Sequence, residues 1–238
     1  MNEPELLFFN GLLWYLETRN WAFQKIITCP TGSQGLDIKM YHYLYFSNLF
    51  GAVDLVRDYS KAIGEKVDFD EKIRLGFVNA NDYQYARELR NAIVHRGVDP
   101  AAAGHSVDNL LFVICPSIVQ DRSGRKSYSS TFKYTTELAE DCNRIVDAVI
   151  FEFADRHGFL IPDRVAVSKE ERLKFITETA VMPDWAKAMA TQALETVGVQ
   201  QMLATIPATR VQHLKDLLGQ GRAEPSSSLL PSSSIDIF

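Results

Sequence analysis

From Asp82 to Gly97 the chain reads Asp-Tyr-Gln-Tyr-Ala-Arg-Glu-Leu-Arg-Asn-Ala-Ile-Val-His-Arg-Gly. Apolar residues recur in this stretch every three or four positions, which predicts an amphipathic helix. A side chain among Asn79, Asn81 and Asp82 can cap its first free amides, and Gly97 can adopt the left-handed conformation that ends a helix. The stretch therefore predicts a helix whose last turn contains His95.

The last two turns of this helix contain three polar side chains, Arg90, Asn91 and His95. The free carbonyls at a helix end favour a protonated imidazole, so His95 is placed to exchange a proton near neutral pH. A guanidinium is a permanent forked donor for phosphate. Arg followed at once by Asn, and five residues later by His, is expected only about 0.01 times by chance in a chain of this composition.

A helical projection separates two of these side chains. At about 100° per residue, Asn91 and His95 share the polar face, whereas Arg90 projects roughly 140° away from His95. Two alternatives bring Arg90 and His95 together. Either the last turn distorts, or a second copy of the chain packs here across a twofold axis and also covers Val94, which points away from the apolar stripe.

The pattern Arg-Asn-x-x-x-His resembles the signature of the HEPN superfamily, helical proteins whose catalytic members are metal-independent endoribonucleases acting as dimers. The resemblance implies that Arg90 neutralises the scissile phosphate and that Asn91 is the polar residue that often follows the arginine. It implies that His95 acts as acid or base while a ribose 2′-hydroxyl attacks phosphorus. It also implies a homodimer, toxin or phage-defence biology, and an antitoxin or other protein partner.

The resemblance is confined to residues 82 to 97, within a helical core from about 36 to 158. One toxin subgroup carries Tyr two residues after the His, where this chain has Gly97, so regulation through that tyrosine is not expected. Two other interpretations stay open. One is a solvated helix face with a terminal His near its own carbonyls, and the other is a non-catalytic helical module that binds RNA or a protein partner.

The charge balance limits how RNA can bind. The 238 residues carry a net charge of -5, which argues against general polyanion binding because RNA affinity depends on cationic contacts. Any RNA contact must therefore be local. The candidate substrate-binding residues are Arg87 and Arg96 on the motif helix, and Arg122, Arg125 and Lys126 at a predicted turn, although solvated surface charge explains either group equally simply.

Three widely spaced cysteines fit a reducing compartment, and we expect a cytoplasmic protein. The apolar run from Leu6 to Leu16 lacks a basic flank and is broken by Asn10, so it predicts neither a signal peptide nor a membrane span. The sequence contains no phosphate-cradling glycine loop and no zinc-ligand pattern. We therefore expect no cofactor and no metal.

The fold class predicted is mainly α, a HEPN-like helical bundle with an inserted β-hairpin and a C-terminal helical appendage. The predicted domains are a helical domain (1–160) with the hairpin near 109–135, an appendage (161–220), and a flexible Ser- and Pro-rich tail (221–238). Leu110 to Cys115 and Ser127 to Thr135 are the expected hairpin strands. In the appendage, Ser168 and Glu171 predict a capping box, and Pro207 predicts an interruption of the last helix.

Overall fold

A computed structural model describes residues 1–219 of the chain, and these are mainly helical, as predicted. The predicted tail from residue 221 lies outside the described residues. The helices are α1 (Glu3–Ile27), α2 (Gly35–Ala62), α3 (Phe69–Gly76), α4 (Ala80–Arg96), α5 (Thr135–Arg156), α6 (Pro162–Val165), α7 (Lys169–Glu178), α8 (Asp184–Leu194) and α9 (Val197–Gly219). The strands are β1 (Gly104–Val107), β2 (Leu110–Val113), β3 (Val119–Gln120) and β4 (Ser127–Tyr128).

The chain divides into two compact units. The motif unit contains residues 11–151 and 217–219, and the C-terminal unit contains residues 1–10 and 152–216. The sequence predicted a boundary near residue 160, with the first residues in the helical domain. In the C-terminal unit, the Phe8 ring packs against those of Phe153 and Phe159, with centroids 6.0 and 5.1 Å away, which explains why residues 1–10 belong with it.

A fully buried ion pair joins α1 to α5 inside the motif unit. Arg19 Nη1 lies 2.5 Å from Asp147 Oδ1, and Nη2 donates to Asp147 Oδ2 over 3.0 Å. The remaining guanidinium hydrogens bind the Asn20 side-chain oxygen, with Nε to Oδ1 at 2.9 Å. Because both charges are removed from water, each depends on the other for compensation.

The predicted insertion of a β-hairpin among the helices is confirmed, but the predicted strand pairing is wrong, because the strands form two short hairpins. β2 pairs antiparallel with β1, whereas β4 pairs with β3, and only an isolated bridge joins Ile114 to Tyr134. Asp108 and Asn109 connect β1 to β2 with φ values of 48° and 64°. Asp and Asn tolerate the left-handed region, so this two-residue turn makes the local pairing favourable.

In the C-terminal unit, the predicted capping box is confirmed and the predicted helix interruption is wrong. Ser168 Oγ accepts from the Glu171 amide over 3.1 Å, and Glu171 Oε2 accepts from the Ser168 amide over 2.9 Å, which is the predicted capping box. The predicted interruption at Pro207 is wrong, since α9 continues through it. Proline removes one amide donor, but its fixed φ angle is compatible with helical backbone.

His42 is a buried residue of α2 that contacts Thr135 at the start of α5. Its Nδ1 donates to the Ile38 carbonyl over 2.8 Å, and its Nε2 accepts from Thr135 Oγ1 over 2.9 Å. Burial lowers the pKa of His42 to about 4 from an ordinary value of 6.5. The folded chain therefore holds the neutral imidazole, whereas the unfolded chain takes up a proton below pH 6.5.

We expect His42 to make the protein acid-sensitive. Its contribution to stability is complete above pH 6.5 and is lost as the pH falls toward 4, at a cost of ~3 kcal/mol. Urea unfolding of the wild type and His42→Gln at several pH values measures this, because the difference between the two curves removes the carboxylate titrations. Parallel curves between pH 7 and pH 4 would contradict the expectation.

Candidate active site

The motif helix α4 begins and ends where the sequence predicts. Asn79 caps it by accepting from the Asn81 amide over 3.1 Å, and Gly97 ends it with a φ of 65°. The helix runs without a break to Arg96, so the alternative in which the last turn distorts is not adopted. The wide angular separation of Arg90 and His95 within one chain therefore holds.

The three motif side chains differ in their surroundings. Arg90 is half-buried, and its Nη1 donates to Asn91 Oδ1 over 3.0 Å. Asn91 in turn makes a long hydrogen bond to Glu88, with Nδ2 to Oε1 at 3.4 Å. His95 is exposed in the last turn. The chain thus presents one oriented guanidinium and one solvent-accessible imidazole.

Two buried polar atoms of this helix lack hydrogen-bond partners within residues 1–219. They are Arg90 Nε and Glu88 Oε2. Arg90 also forms no ion pair with any described residue. Buried donors and acceptors are paired in most native proteins, so these two groups have hydrogen-bonding capacity that water or a ligand can satisfy.

Arg87 has a different environment. Its Nη1 pairs with Asp70 Oδ1, which also accepts from the Tyr83 hydroxyl. Burial tends to raise the pKa of Asp70, but the bond from Tyr83 and the charge of Arg87 outweigh it and hold that pKa below its ordinary value. The Arg87 guanidinium, a predicted substrate contact, is therefore already engaged in joining α4 to α3.

The segment with β3 and β4 is held against α4 by a buried carboxylate. Asp82, 1% exposed, accepts from Ser130 Oγ over 3.0 Å, from the Thr131 amide over 2.8 Å and from Thr131 Oγ1 over 2.6 Å. Further along the helix, the Tyr85 hydroxyl donates to the Pro116 carbonyl over 2.7 Å. These contacts fix the β3–β4 hairpin beside the motif helix.

Arg96 makes a second link to this hairpin at the other end of α4. Its Nη1 donates to the Asp121 carbonyl over 2.6 Å. The Asp121 carboxylate organises the turn by accepting from Ser123 Oγ and from the Arg125 and Lys126 amides, over 3.0 to 3.3 Å. The turn carries the exposed residues Arg122, Arg125 and Lys126.

The structure thus brings most of the predicted basic residues together. Arg96 is next to His95 in the chain and bonded to the turn that carries three further cations. Sequence reasoning missed Asp121 and the tertiary role of Asp82. Asp121 precedes Arg-Ser-Gly, and an Asp at that position is a recognised turn-forming signal. For Asp82 the sequence indicates only a candidate helix cap.

Two features, a metal site and a membrane-spanning helix, are absent from the described part of the chain. Within residues 1–219, no three His, Cys, Asp or Glu side chains are grouped as metal ligands would be. None of the helices in the same range is long and apolar enough to cross a membrane. The three cysteines are buried free thiols.

No known protein family, curated protein or solved structure matches this chain. Function is therefore inferred from the chemistry and placement of the residues described above.

We expect Asp82→Asn to loosen the hairpin. The amide replaces one acceptor oxygen with a donor that faces the Thr131 or Ser130 donors, so the change costs about 1–3 kcal/mol of stability. Hydrogen exchange followed by mass spectrometry should show faster exchange in residues 116–131. Asp108→Asn, at the exposed β1–β2 turn, is the matched control and should leave that segment unchanged, and unaltered protection in Asp82→Asn would contradict the assigned role.

Proposed function

We propose that this chain is a HEPN-like, metal-independent endoribonuclease that acts on RNA at a composite site made by two copies. The observation that supports it best is the Arg90 guanidinium, half-buried and without an ion pair among the described residues, on the helix whose last turn exposes His95. An unneutralised cation and a titratable imidazole are the two groups that phosphodiester transfer requires in the absence of a metal.

In the proposed reaction His95 removes the proton from a ribose 2′-hydroxyl, whose oxygen attacks the adjacent phosphorus. The 5′-oxygen leaves with a proton, supplied by an imidazole acting as acid, and the products are a 2′,3′-cyclic phosphate and a 5′-hydroxyl. Arg90 stabilises the charge that develops on the phosphoryl oxygens. Asn91 is a positioning residue because its side-chain oxygen holds Arg90 Nη1.

A second copy is part of the proposal because α4 is continuous. With Arg90 and His95 projecting roughly 140° apart, one chain does not direct both at a single phosphate. A twofold contact between two α4 helices brings the side chains of one copy toward those of the other. Val94, half-buried and on the side away from the apolar stripe, would lie in that contact.

The turn that carries Arg122, Arg125 and Lys126, here called the basic turn, would hold the RNA strand on either side of the cleavage point. Arg96, Arg122, Arg125 and Lys126 form a local cationic surface on a chain of net charge -5. Such a surface attracts the phosphate backbone without base specificity. Toxin or phage-defence biology, with an antitoxin covering this surface in the cytoplasm, is proposed on the HEPN resemblance.

Cleavage assays test the catalytic assignment. We expect Arg90→Ala and His95→Ala each to lower the rate about 100-fold or more, with the wild-type rate unaffected by EDTA. Arg144→Ala removes an exposed arginine that pairs with Asp141 on α5 and serves as the control. Products ending in 2′,3′-cyclic phosphate fit the mechanism, whereas equal cleavage by all four proteins would refute it.

Association is tested separately by light scattering coupled to gel filtration. We expect the wild type to be a dimer and Val94→Asp to shift it toward a monomer with reduced cleavage, because a carboxylate in the contact would lose its hydration. Val78→Asp, at an exposed position before α4, is the control and should remain dimeric. A fully active wild-type monomer would rule out the composite site.

A non-catalytic module that binds RNA or a protein partner is the second candidate. It is favoured by the bonds that link Arg90, Asn91 and Glu88 to one another on a single helix, since such a network also serves a purely structural purpose. The same set of proteins separates the two functions. RNA binding that weakens in Arg90→Ala, with no cleavage by the wild type, is the result expected of a binding module.

A further inference from the structure

The C-terminal unit contains a solvent-open cavity of about 620 Å³ that the proposed nuclease site does not use, and half of the residues that line it are exposed. It is lined by residues of α6, α7 and α9, by the segment between α6 and α7, and by Leu194 at the end of α8. Its walls are mostly apolar, with Val167, Leu194, Leu203 and Pro207 among them. Small-molecule sites in proteins have this size range and this predominance of apolar lining.

Arg172 supplies a cation to this cavity. Its Nε donates to the Val167 carbonyl over 3.1 Å, which orients the guanidinium, and it forms no ion pair with any described residue. The other charged lining residues are accounted for. Lys169 Nζ pairs with Glu195 at 2.8 Å, and Asp163 is exposed at the rim, where water solvates its carboxylate.

A second guanidinium lies near the first. Arg210 on α9 stacks over the Phe9 ring, 4.9 Å from its centroid, and donates to the Asn10 side-chain oxygen. Burial and the charge of Arg172 lower the pKa of Arg210. Arg172 lines the cavity and Arg210 does not, and neither pairs with a carboxylate among residues 1–219. The charge of Arg210 therefore adds to the positive potential at Arg172 and favours an anion beside it.

Two of the helices beside the cavity, α7 and α8, bury little apolar surface of their own. α7 contains no buried residue, and α8 buries only Leu194, although both carry large apolar side chains such as Phe175 and Trp185. Isolated helices of this length are marginal in water, so they depend on packing. A ligand in the cavity would supply apolar contacts that α7 lacks.

We propose that this cavity binds a small amphipathic anion, an apolar chain or ring that carries one carboxylate. The carboxylate bonds to the free Nη groups of Arg172, and the apolar part replaces water against Leu194, Leu203 and Pro207. The site is separate from the motif helix and does not depend on the nuclease proposal.

Titration calorimetry of the full chain with sodium octanoate tests the proposal, and octan-1-ol is the neutral comparison. We expect octanoate to bind one site per chain and to bind more tightly than octanol. Arg172→Gln should weaken octanoate binding about tenfold while leaving octanol binding unchanged, because only the charge-assisted hydrogen bond is lost. Lys174→Gln, an equal charge change at an exposed position of α7, should bind octanoate like the wild type.

Ala204→Trp provides an independent test, since its indole fills the cavity without altering Arg172 and should abolish binding of both probes. Circular dichroism of each variant establishes that the helices are retained. The proposal is overturned by any of three results, namely no octanoate binding to the wild type, equal octanoate binding to Arg172→Gln and the wild type, or octanol binding as tight as octanoate.

Discussion

The candidate site depends on how the β3–β4 hairpin is held to the motif helix. Asp82 accepts three hydrogen bonds from Ser130 and Thr131 near the start of α4, and Arg96 bonds to the Asp121 carbonyl at its end. A buried carboxylate is stable only when its lone pairs are satisfied, so Asp82 stabilises the position of the loop segment around residue 130. The rest of the hairpin is thereby aligned along the helix, with its cationic turn at the end that carries His95.

This arrangement supports the proposal that an acidic chain binds phosphate at a local surface. The net charge of -5 is unfavourable for RNA at long range, but screening in physiological salt limits that effect to about 8 Å. Within that distance the charges of Arg96, Arg122, Arg125 and Lys126 dominate. Arg87 does not contribute to this positive surface, because Asp70 neutralises it directly and the Tyr83 hydroxyl fixes the geometry of the pair.

Local signals were predictable from the sequence and long-range partners were not. Asn79, Gly97 and the Ser168 capping box act on backbone groups within a few residues, so their chemistry determines where α4 and α7 begin or end. β2 pairs with β1 through a left-handed turn at Asp108 and Asn109, which was not predicted from the sequence. The Asp82–Thr131 and Arg96–Asp121 contacts join positions far apart in the chain, and no periodicity encodes such a pair. For the same reason the sequence identified Arg90 and His95 as candidates but did not predict that Arg96 bonds to the turn that carries Arg122, Arg125 and Lys126.

The unsatisfied atoms of the motif helix bear most directly on function. Leaving a buried donor such as Arg90 Nε unpaired costs about 1–3 kcal/mol, and Glu88 Oε2 adds a similar cost. Packing alone would favour apolar side chains here, since a half-satisfied polar network is less stable than an apolar surface. The Arg90 donor becomes favourable when an anion supplies its missing acceptor, whereas Glu88 Oε2 needs a donor, which water or a second subunit can supply. A guanidinium that is already oriented reorganises little when an anion binds. Such preorganisation is the main means by which a protein without a metal can stabilise charge in a phosphoryl-transfer reaction.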